Sequence, residues 1–504
     1  MKRAGLLIVA MIASVSSVCS QNVDDALRYS QIFYNGSARF NAMGGAFTAL
    51  GGDLSSLSQN PAGLGVFRTS EISVSPQLFH FKSTSDYNDS RTEDYFSDFN
   101  LGQGGIVLNL KNNQSGSGLV TLNFGYSYSR TNNLDQSIKI QGHNENSSLV
   151  GYWRKISDGI IDTGLYDEVP DAYLGWYTGL LDTLAGFRDA YGTVYDNYGR
   201  NTTDYSNQLT RIITNSGYTG EHSIAIGGNY SNRLYFGVSL AITRLSYESR
   251  YEHAESSDST LASGFEDFNY TFFYRDNGTG YALKFGFIYK PIEPLRIGFA
   301  FHTPTYFTMN EYVNDNIVTN INNSPFPGHQ QNNASWYSYH LTTPFRTSLG
   351  AAYQIGKLGV VSAEGEYAGY GMAGFSTTAN DDYDYTRKND AIKGSLKNAF
   401  NYRFGAEARV NSRLYFRGGY GYYGKTYATG DVNENICYNS YSAGAGFREQ
   451  NIYVDFGYTR ITSPQKYILY EYYDDYLGKL VSSSSNMNLN RNIFAVTFGY
   501  KFGY

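Results

Sequence analysis

The feature that most constrains this chain is a segment of about ten residues, repeated along its length, in which apolar or aromatic side chains alternate with polar or very small ones. A period of two is the period of a β-strand, so each segment has one apolar and one polar face. In the clearest case Phe400, Tyr402, Phe404, Ala406, Ala408 and Val410 share one face, and Asn401, Arg403, Gly405, Glu407 and Arg409 share the other. Near the C-terminus Phe494, Val496, Phe498, Tyr500, Phe502 and Tyr504 repeat the pattern. Such segments can meet lipid on one side and a polar lumen on the other, which predicts an all-β transmembrane antiparallel barrel.

The pattern places strands near 71–82, 104–111, 118–130, 220–230, 234–251, 279–290, 295–309, 343–355, 358–372, 399–410, 414–427, 439–449, 452–470 and 489–503, about 14 in all. Tight turns at Ser231-Asn232, Pro291 to Pro294, Gly356-Lys357, Asn411 to Arg413 and Glu449-Gln450 alternate with long Tyr-rich loops, as periplasmic turns alternate with extracellular loops. The largest expected loop is 131–219. Closing an even number of strands over 71–504 leaves residues 21–70 for a hatch, a plug inside the lumen. A propeller also offers many short strands, but it would not give such regular alternation of loop lengths or such uniformly aromatic faces.

Aromatic residues make up 16% of the chain and charged residues only 17%, with 54 glycines and 49 tyrosines against 10 prolines. That balance suits aromatic girdles at two interfaces and small groups in a crowded lumen better than it suits a soluble enzyme. A formal net charge of −6, without clusters of Lys and Arg, speaks against nucleic acid as a partner. Residues 1–20 read as a cleaved signal peptide: Lys2 and Arg3, an apolar core from Leu6 to Val15, then Val18-Cys19-Ser20. Cys19 invites a lipoprotein reading that Val18 fits poorly, and after cleavage Cys437 alone remains, so no internal disulfide is expected. No later apolar run is long enough for a membrane helix.

The segment Ser37 to Asp53, with Gly44-Gly45 and Gly51-Gly52, is followed by Ser58-Gln59-Asn60-Pro61-Ala62-Gly63-Leu64. Glycines let backbone pack closely in a crowded space, and Pro61 pushes Asn60 out of the helical region, so Gly44, Gly45, Asn60, Pro61 and Ala62 are candidate gating residues. The spacing is not G-x-G-x-x-G, which sets aside a dinucleotide site. This stretch resembles the N-terminal hatch of the FadL family of outer-membrane transporters for long-chain fatty acids and other hydrophobic compounds. Leu295 to Pro304 and Leu414 to Tyr420 look like strands of that family. The resemblance, running from about residue 37 onward, implies a monomeric outer-membrane protein that takes up fatty acids or similar molecules passively. Lipid, lipopolysaccharide and the barrel assembly machinery would be its other partners. Two features depart from the family: the terminal Tyr504 in place of Phe, and the length of the 131–219 loop.

Two sets of residues are candidates for the ligand. Within Val169 to Gly192, the residues Tyr173, Leu174, Trp176, Tyr177, Leu180, Leu181, Leu184 and Phe187 fall several to a helical face, either packing over the barrel mouth or offering a landing site. On polar strand faces, Arg296, Arg346, Arg403, Arg409 and Arg417 could hold a carboxylate through bidentate hydrogen bonds, or could pair with Glu407, Asp455 or the hatch. His302 faces inward and keeps a haem-type ligand in view, although no cofactor or metal is expected. The acidic runs Asp381 to Tyr385 and Tyr472 to Tyr476 lack the spacing of a calcium loop. No G-x-S-x-G, H-E-x-x-H or C-x-x-C occurs, so an enzyme is not expected. The rival to uptake is a surface receptor or adhesin that binds through its Tyr-rich loops.

Overall fold

The computed structural model describes residues 21–113, 116–201, 203–378, 382–474 and 478–503. The expected signal peptide with Cys19, the loop residues Asp381, Asp475 and Tyr476, and Tyr504 lie outside the described residues.

The described residues form a closed antiparallel barrel of 14 strands. They are β1 Ser70–Tyr87, β2 Ser90–Asn112, β3 Leu119–Asn133 continued by Gln136–Asn144, β4 Asn207–Tyr230, β5 Leu234–Ser257, β6 Phe265–Ile292 and β7 Leu295–His302 continued by Tyr306–Ile321. There follow β8 Ser335–Thr342 continued by Arg346–Ile355, β9 Gly359–Ala368 continued by Gly374–Thr377, β10 Ala399–Arg409, β11 Leu414–Tyr423, β12 Tyr438–Glu449, β13 Ile452–Asp474 and β14 Lys479–Phe502. β14 closes the ring on β1, from Ser70 opposite Phe502 to Asp86 opposite Asn486. Closure leaves no end strand free, as the absence of water in a bilayer core demands.

The expected alternation is what the wall shows. On β10 the side chains of Phe400, Tyr402 and Phe404 point outward and are exposed, whereas Asn401 and Arg403 point inward and are buried. Outward rings meet across neighbouring strands: Phe301 with Phe345, Phe345 with Tyr367 and Tyr367 with Phe400, at centroid distances of 6.0, 5.7 and 5.4 Å. This continuous apolar band faces hydrocarbon.

Several strands run well past their expected ends. β2 starts at Ser90 rather than near 104, β4 at Asn207 rather than near 220, and β14 at Lys479 rather than near 489. The reason is physical: above the apolar band the outward residues become polar, as Ser482, Ser484, Asn486 and Asn488 do on β14, while inward and outward positions still alternate. Apolar periodicity therefore marks contact with lipid, not the length of a strand. The same effect corrects the 131–219 loop, because residues up to Asn144 and from Asn207 onward are paired strand and the connection proper is 145–206.

The β2–β3 ladder extends only from Asn112 opposite Thr121 to Gln103 opposite Ser129. Above it, β2 pairs with β1 alone, and the continuation of β3 turns inward against the β1–β2 hairpin, where Ser83 Oγ donates to Ser137 O at 2.8 Å.

Candidate functional site

The site is the lumen, filled from below by residues 21–69 and from above by the 145–206 connection. The lower segment begins with α1 Val23–Ser30, whose Asn22 and Asp25 form a capping box. α2 Ala38–Ala42 is capped by Ser37, and α3 Ser56–Gln59 ends at Asn60, held extended at φ −140° and ψ 100° ahead of Pro61. Pro61 opens a 3₁₀ turn to Val66. Gly44 and Gly45 take φ values of +64° and +72°, a conformation that a side chain would strain. Most of this is buried inside the barrel, while Asn22 and Asp24 at the start of α1 are exposed.

Glycines of the wall form the seat for this plug. A Cβ on Gly286 of β6 would lie 1.9 Å from Asn60 Oδ1, and one on Gly237 of β5 would lie 2.3 Å from Pro61 O. On Gly298 of β7 it would meet Thr48 O at 2.1 Å, and on Gly405 of β10 it would meet Met43 O at 2.4 Å. Plug backbone, and at Gly286 the side chain of Asn60, thus rests directly on wall backbone, which accounts for glycine at these positions. Asn60 anchors the bend: its Nδ2 donates to Thr48 O (2.6 Å) and, more weakly, to the wall carbonyls of Phe299 (3.3 Å) and Phe287 (3.4 Å).

A ring of charged and polar wall side chains grips the plug above this seat. Lys284 donates to Ser58 O and to both oxygens of Glu221, each at 2.6 Å. Glu364 accepts from Thr48 N (2.9 Å) and Gln59 Nε2 (2.9 Å), and Arg39 of the plug pairs with Glu407 (2.8 Å). His302 does point inward, and its Nε2 lies 2.7 Å from Gln59 O.

The candidate arginines divide into distinct groups. Arg346 pairs with Glu366 (2.8 Å) and donates to Ser30 O (2.6 Å). Arg403 pairs with Glu364 and Glu366, and Arg417 pairs with Glu407 and Asp455, both at 2.7 Å. Arg296 donates to Leu50 O of the plug (2.7 Å) and has no ion pair among the described residues. Arg409 is exposed at the short-turn rim beside Asn411. Arg346, Arg403 and Arg417 are thus committed to carboxylates, which is the cheapest way to keep a guanidinium in a confined lumen.

Over the mouth, the 145–206 connection folds into α4 Leu149–Ser157, α5 Leu165–Glu168, α6 Pro170–Tyr177 and a small hairpin, Leu181–Thr183 with Tyr191–Thr193. The expected helical stripe therefore breaks at Gly179, where φ is +83°. Leu174, Leu180 and Leu181 are fully buried with Trp153 in a core completed by Phe79 and Phe81 of β1, Phe268 and Tyr270 of β6 and Leu489 of β14. Tyr173 and Trp176 pack at its margin, and Tyr177 and Phe187 are exposed. Glu255 of β5 pins this cap: it accepts from Leu149 N (2.8 Å), from the Tyr195 hydroxyl (2.9 Å) and from Ser148 Oγ. α6 meets the wall through two carboxyls, Asp171 and Asp315 of β7; burial, then the charge of Asp315, pushes the Asp171 carboxyl up to about 8.

No protein-family model matches the chain, and no curated protein does either. Solved structures do. A FadL homologue of Pseudomonas aeruginosa superposes with a TM-score of 0.53 at 13% identity, covering 93% of this chain and 99% of that one. The toluene transporter TodX of P. putida gives 0.52 at 11% identity, over 94% and 100% of the two chains. The monoaromatic hydrocarbon channel CymD gives 0.50 at 10%, over 94% and 99%. The fold is that of the FadL-type outer-membrane barrels. At such low identity the shared property is architecture, and the FadL-type barrel is here built from its own side chains.

Sequence reasoning missed one inward guanidinium in this FadL-type lumen. Arg491 of β14 stands beside Phe81 and Ile461 of the adjoining strands, over the rings of Phe33 (5.0 Å) and Tyr438 (5.9 Å). It has no hydrogen bond or ion pair among the described residues. Its inward position was legible in the alternation Leu489, Arg491, Ile493; its lack of a carboxylate partner required the tertiary structure.

Proposed function

We propose that this protein carries hydrophobic compounds passively across the outer membrane, after export by a signal peptide cleaved before Gln21. One observation supports the reading most: around the middle of the barrel the lumen is blocked by a segment seated on wall glycines and held by polar grips, with apolar contacts to the wall made by its first helix and by Leu54, Leu57 and Leu64. A cavity beside the plug, between Tyr29 to Ile32 and Lys284, His302 and Arg346, holds only about 30 Å³, too little for an apolar ligand, and in this reading the plug moves to let one pass. Partition out of water drives capture of an apolar ligand, and weak successive sites permit its release.

Long-chain fatty acids are the class to test first. Arg491, an inward guanidinium among apolar rings and without a carboxylate partner, suits a carboxylate head group, with Arg296 as a second station. Arg346, Arg403 and Arg417 serve a passing anion only if their own carboxylates exchange partners. The gating role falls to Gly44, Gly45 and the Asn60-Pro61-Ala62 bend, and Tyr173, Trp176 and Tyr177 form the rim where a ligand lands.

The experiment is uptake of labelled oleate and toluene in cells that lack the protein and carry it back on a plasmid. A Thr48→Cys, Gly350→Cys pair, whose Cβ positions lie about 3.1 Å apart, ties plug to wall. Oxidation should abolish uptake and reduction should restore it. Uptake that ignores the crosslink would end the proposal.

A further inference from the structure

The wall carries an aromatic surface that contact with hydrocarbon does not explain. β6 and β7 meet at the tight turn between Ile292 and Leu295 on the periplasmic side, so residues later in β7 lie nearer the cell surface. The apolar band ends on that side at Tyr281 of β6 and Tyr306 of β7, which stand opposite one another, outward and exposed. Above them the outward positions become polar: Thr279 and Asn277 on β6, Thr308 and Asn310 on β7, and Ser338 on β8, whose hydroxyl donates to Asn310 Oδ1 (2.9 Å). Beyond these, aromatic rings return. Trp336 of β8, Tyr312 of β7 and Phe273 of β6 form an outward row, with successive centroids 4.7 and 6.0 Å apart and both contacts edge to face. Trp336 is 73% exposed. For a tilted strand, Tyr312 lies roughly 15 Å above Tyr306 along the barrel axis, clear of the acyl chains.

The charges of this face are mostly paired. Arg275 of β6 lies over the Phe273 ring (5.6 Å) and pairs with Glu248 of β5 (2.8 Å), and Arg250 of β5 pairs with Glu252 (2.8 Å). Arg244 differs. It is outward and exposed on β5, opposite Thr279 at the top of the apolar band, and has no hydrogen bond or ion pair among the described residues. An unpaired guanidinium at the level where lipid head groups begin thus stands below a shelf of rings. A guanidinium holds phosphate through paired hydrogen bonds. The electron-rich faces of aromatic rings attract the polarised C–H bonds of a sugar, while Asn277 and Asn310 offer amides to its hydroxyls. Three rings fall short of the ~800 Å² per partner that a stable protein interface needs, which makes a second copy of the chain the poorer occupant.

We infer that the outward face of β5 to β8 above the membrane is a docking site for the phosphorylated sugar head of an outer-leaflet lipopolysaccharide, with phosphate on Arg244 and a sugar ring on Trp336 and Tyr312. The outer leaflet supplies this occupant because the face continues the lipid-facing band upward and looks sideways over the membrane, not into the lumen. The inference is independent of the uptake reading.

The test titrates the purified full chain in nonionic detergent with O- and N-deacylated lipopolysaccharide, which keeps phosphates and sugars and lacks acyl chains, and follows binding by calorimetry. Trp336→Ala should weaken binding about tenfold, and Trp336→Phe, which keeps a ring, should restore most of it. Arg244→Gln should weaken binding by a similar factor, and should change nothing once the probe has been enzymatically dephosphorylated. Phe416→Ala, at an exposed position in the lipid-facing band of β11, should leave binding as it is in wild type. The replaced side chains are exposed, so each variant should fold. Absence of binding by wild type, or binding that neither Trp336→Ala nor Arg244→Gln alters, would overturn the inference. So would a wild-type dimer that Trp336→Ala converts to monomer without any probe, since that result assigns the face to a second copy.

Discussion

The two halves of the lumen are blocked in different ways. Under the mouth, the cap buries Trp153, Leu174, Leu180, Leu181, Phe268 and their neighbours in a dry core of the kind found in a soluble domain. Around the barrel's middle, the plug lies on glycines and is held by Lys284, His302, Glu364, Glu407 and Arg296. Pulling the cap off exposes apolar surface to water. Withdrawing the middle of the plug chiefly exchanges hydrogen bonds to the wall for hydrogen bonds to water, which costs less per contact, and the apolar clusters it gives up, such as Leu54, Leu57 and Leu64 with Val107 and Ala225, are smaller than the core of the cap. The lower block is therefore suited to movement and the upper one to permanence.

This contrast can be broken by mutation. The largest effect is expected from Trp153→Ala, which should destabilise the cap by ~3–5 kcal/mol, seen as new protease cleavage within 145–206 while the wall stays folded. Glu255→Ala should follow at about 3 kcal/mol by the same measurement, since it strands the amide of Leu149 and the hydroxyls of Ser148 and Tyr195. A smaller cost, ~1–3 kcal/mol, is expected from Gly286→Ala, which presses on Asn60; its signature is leak current through the purified barrel with the cap still protease-resistant. If Gly286→Ala loosened the cap as well, the two blocks would be one cooperative unit.

The pH dependence sharpens the comparison further. Burial, chiefly, raises the Asp25 carboxyl of α1 to about 7, with Glu311 and Asp24 adding to the effect against Arg28. Asp171 of the cap is raised to about 8. A carboxyl whose folded pKa is raised stabilises docking fully below the unfolded value, near 4, and that contribution is lost as pH climbs through the folded value. Docking of α1 should thus weaken from pH 4 to about 7 and then level off, whereas docking of α6 should go on weakening to about 8. Leak current reads the first and protease sensitivity the second. The smallest effect, within about 0.5 kcal/mol, is expected for exposed Tyr177→Ser, which should leave cap stability unchanged.

The sequence by itself determined the wall. Alternation with a period of two gave the barrel, its lipid-facing side and the order of short turns and long loops, because contact with hydrocarbon dictates side-chain type position by position. It also marked the hatch through its glycines and Asn60-Pro61, which fulfil backbone demands that few other residues meet. Tertiary structure alone decided the height of the barrel, since outward residues above the membrane are polar and their alternation falls silent. It alone decided partnership in the lumen as well. Arg403 and Arg491 both sit at inward positions of their strands, yet one is paired with two carboxylates and the other has none among the described residues, because which inward groups meet depends on register and on the plug.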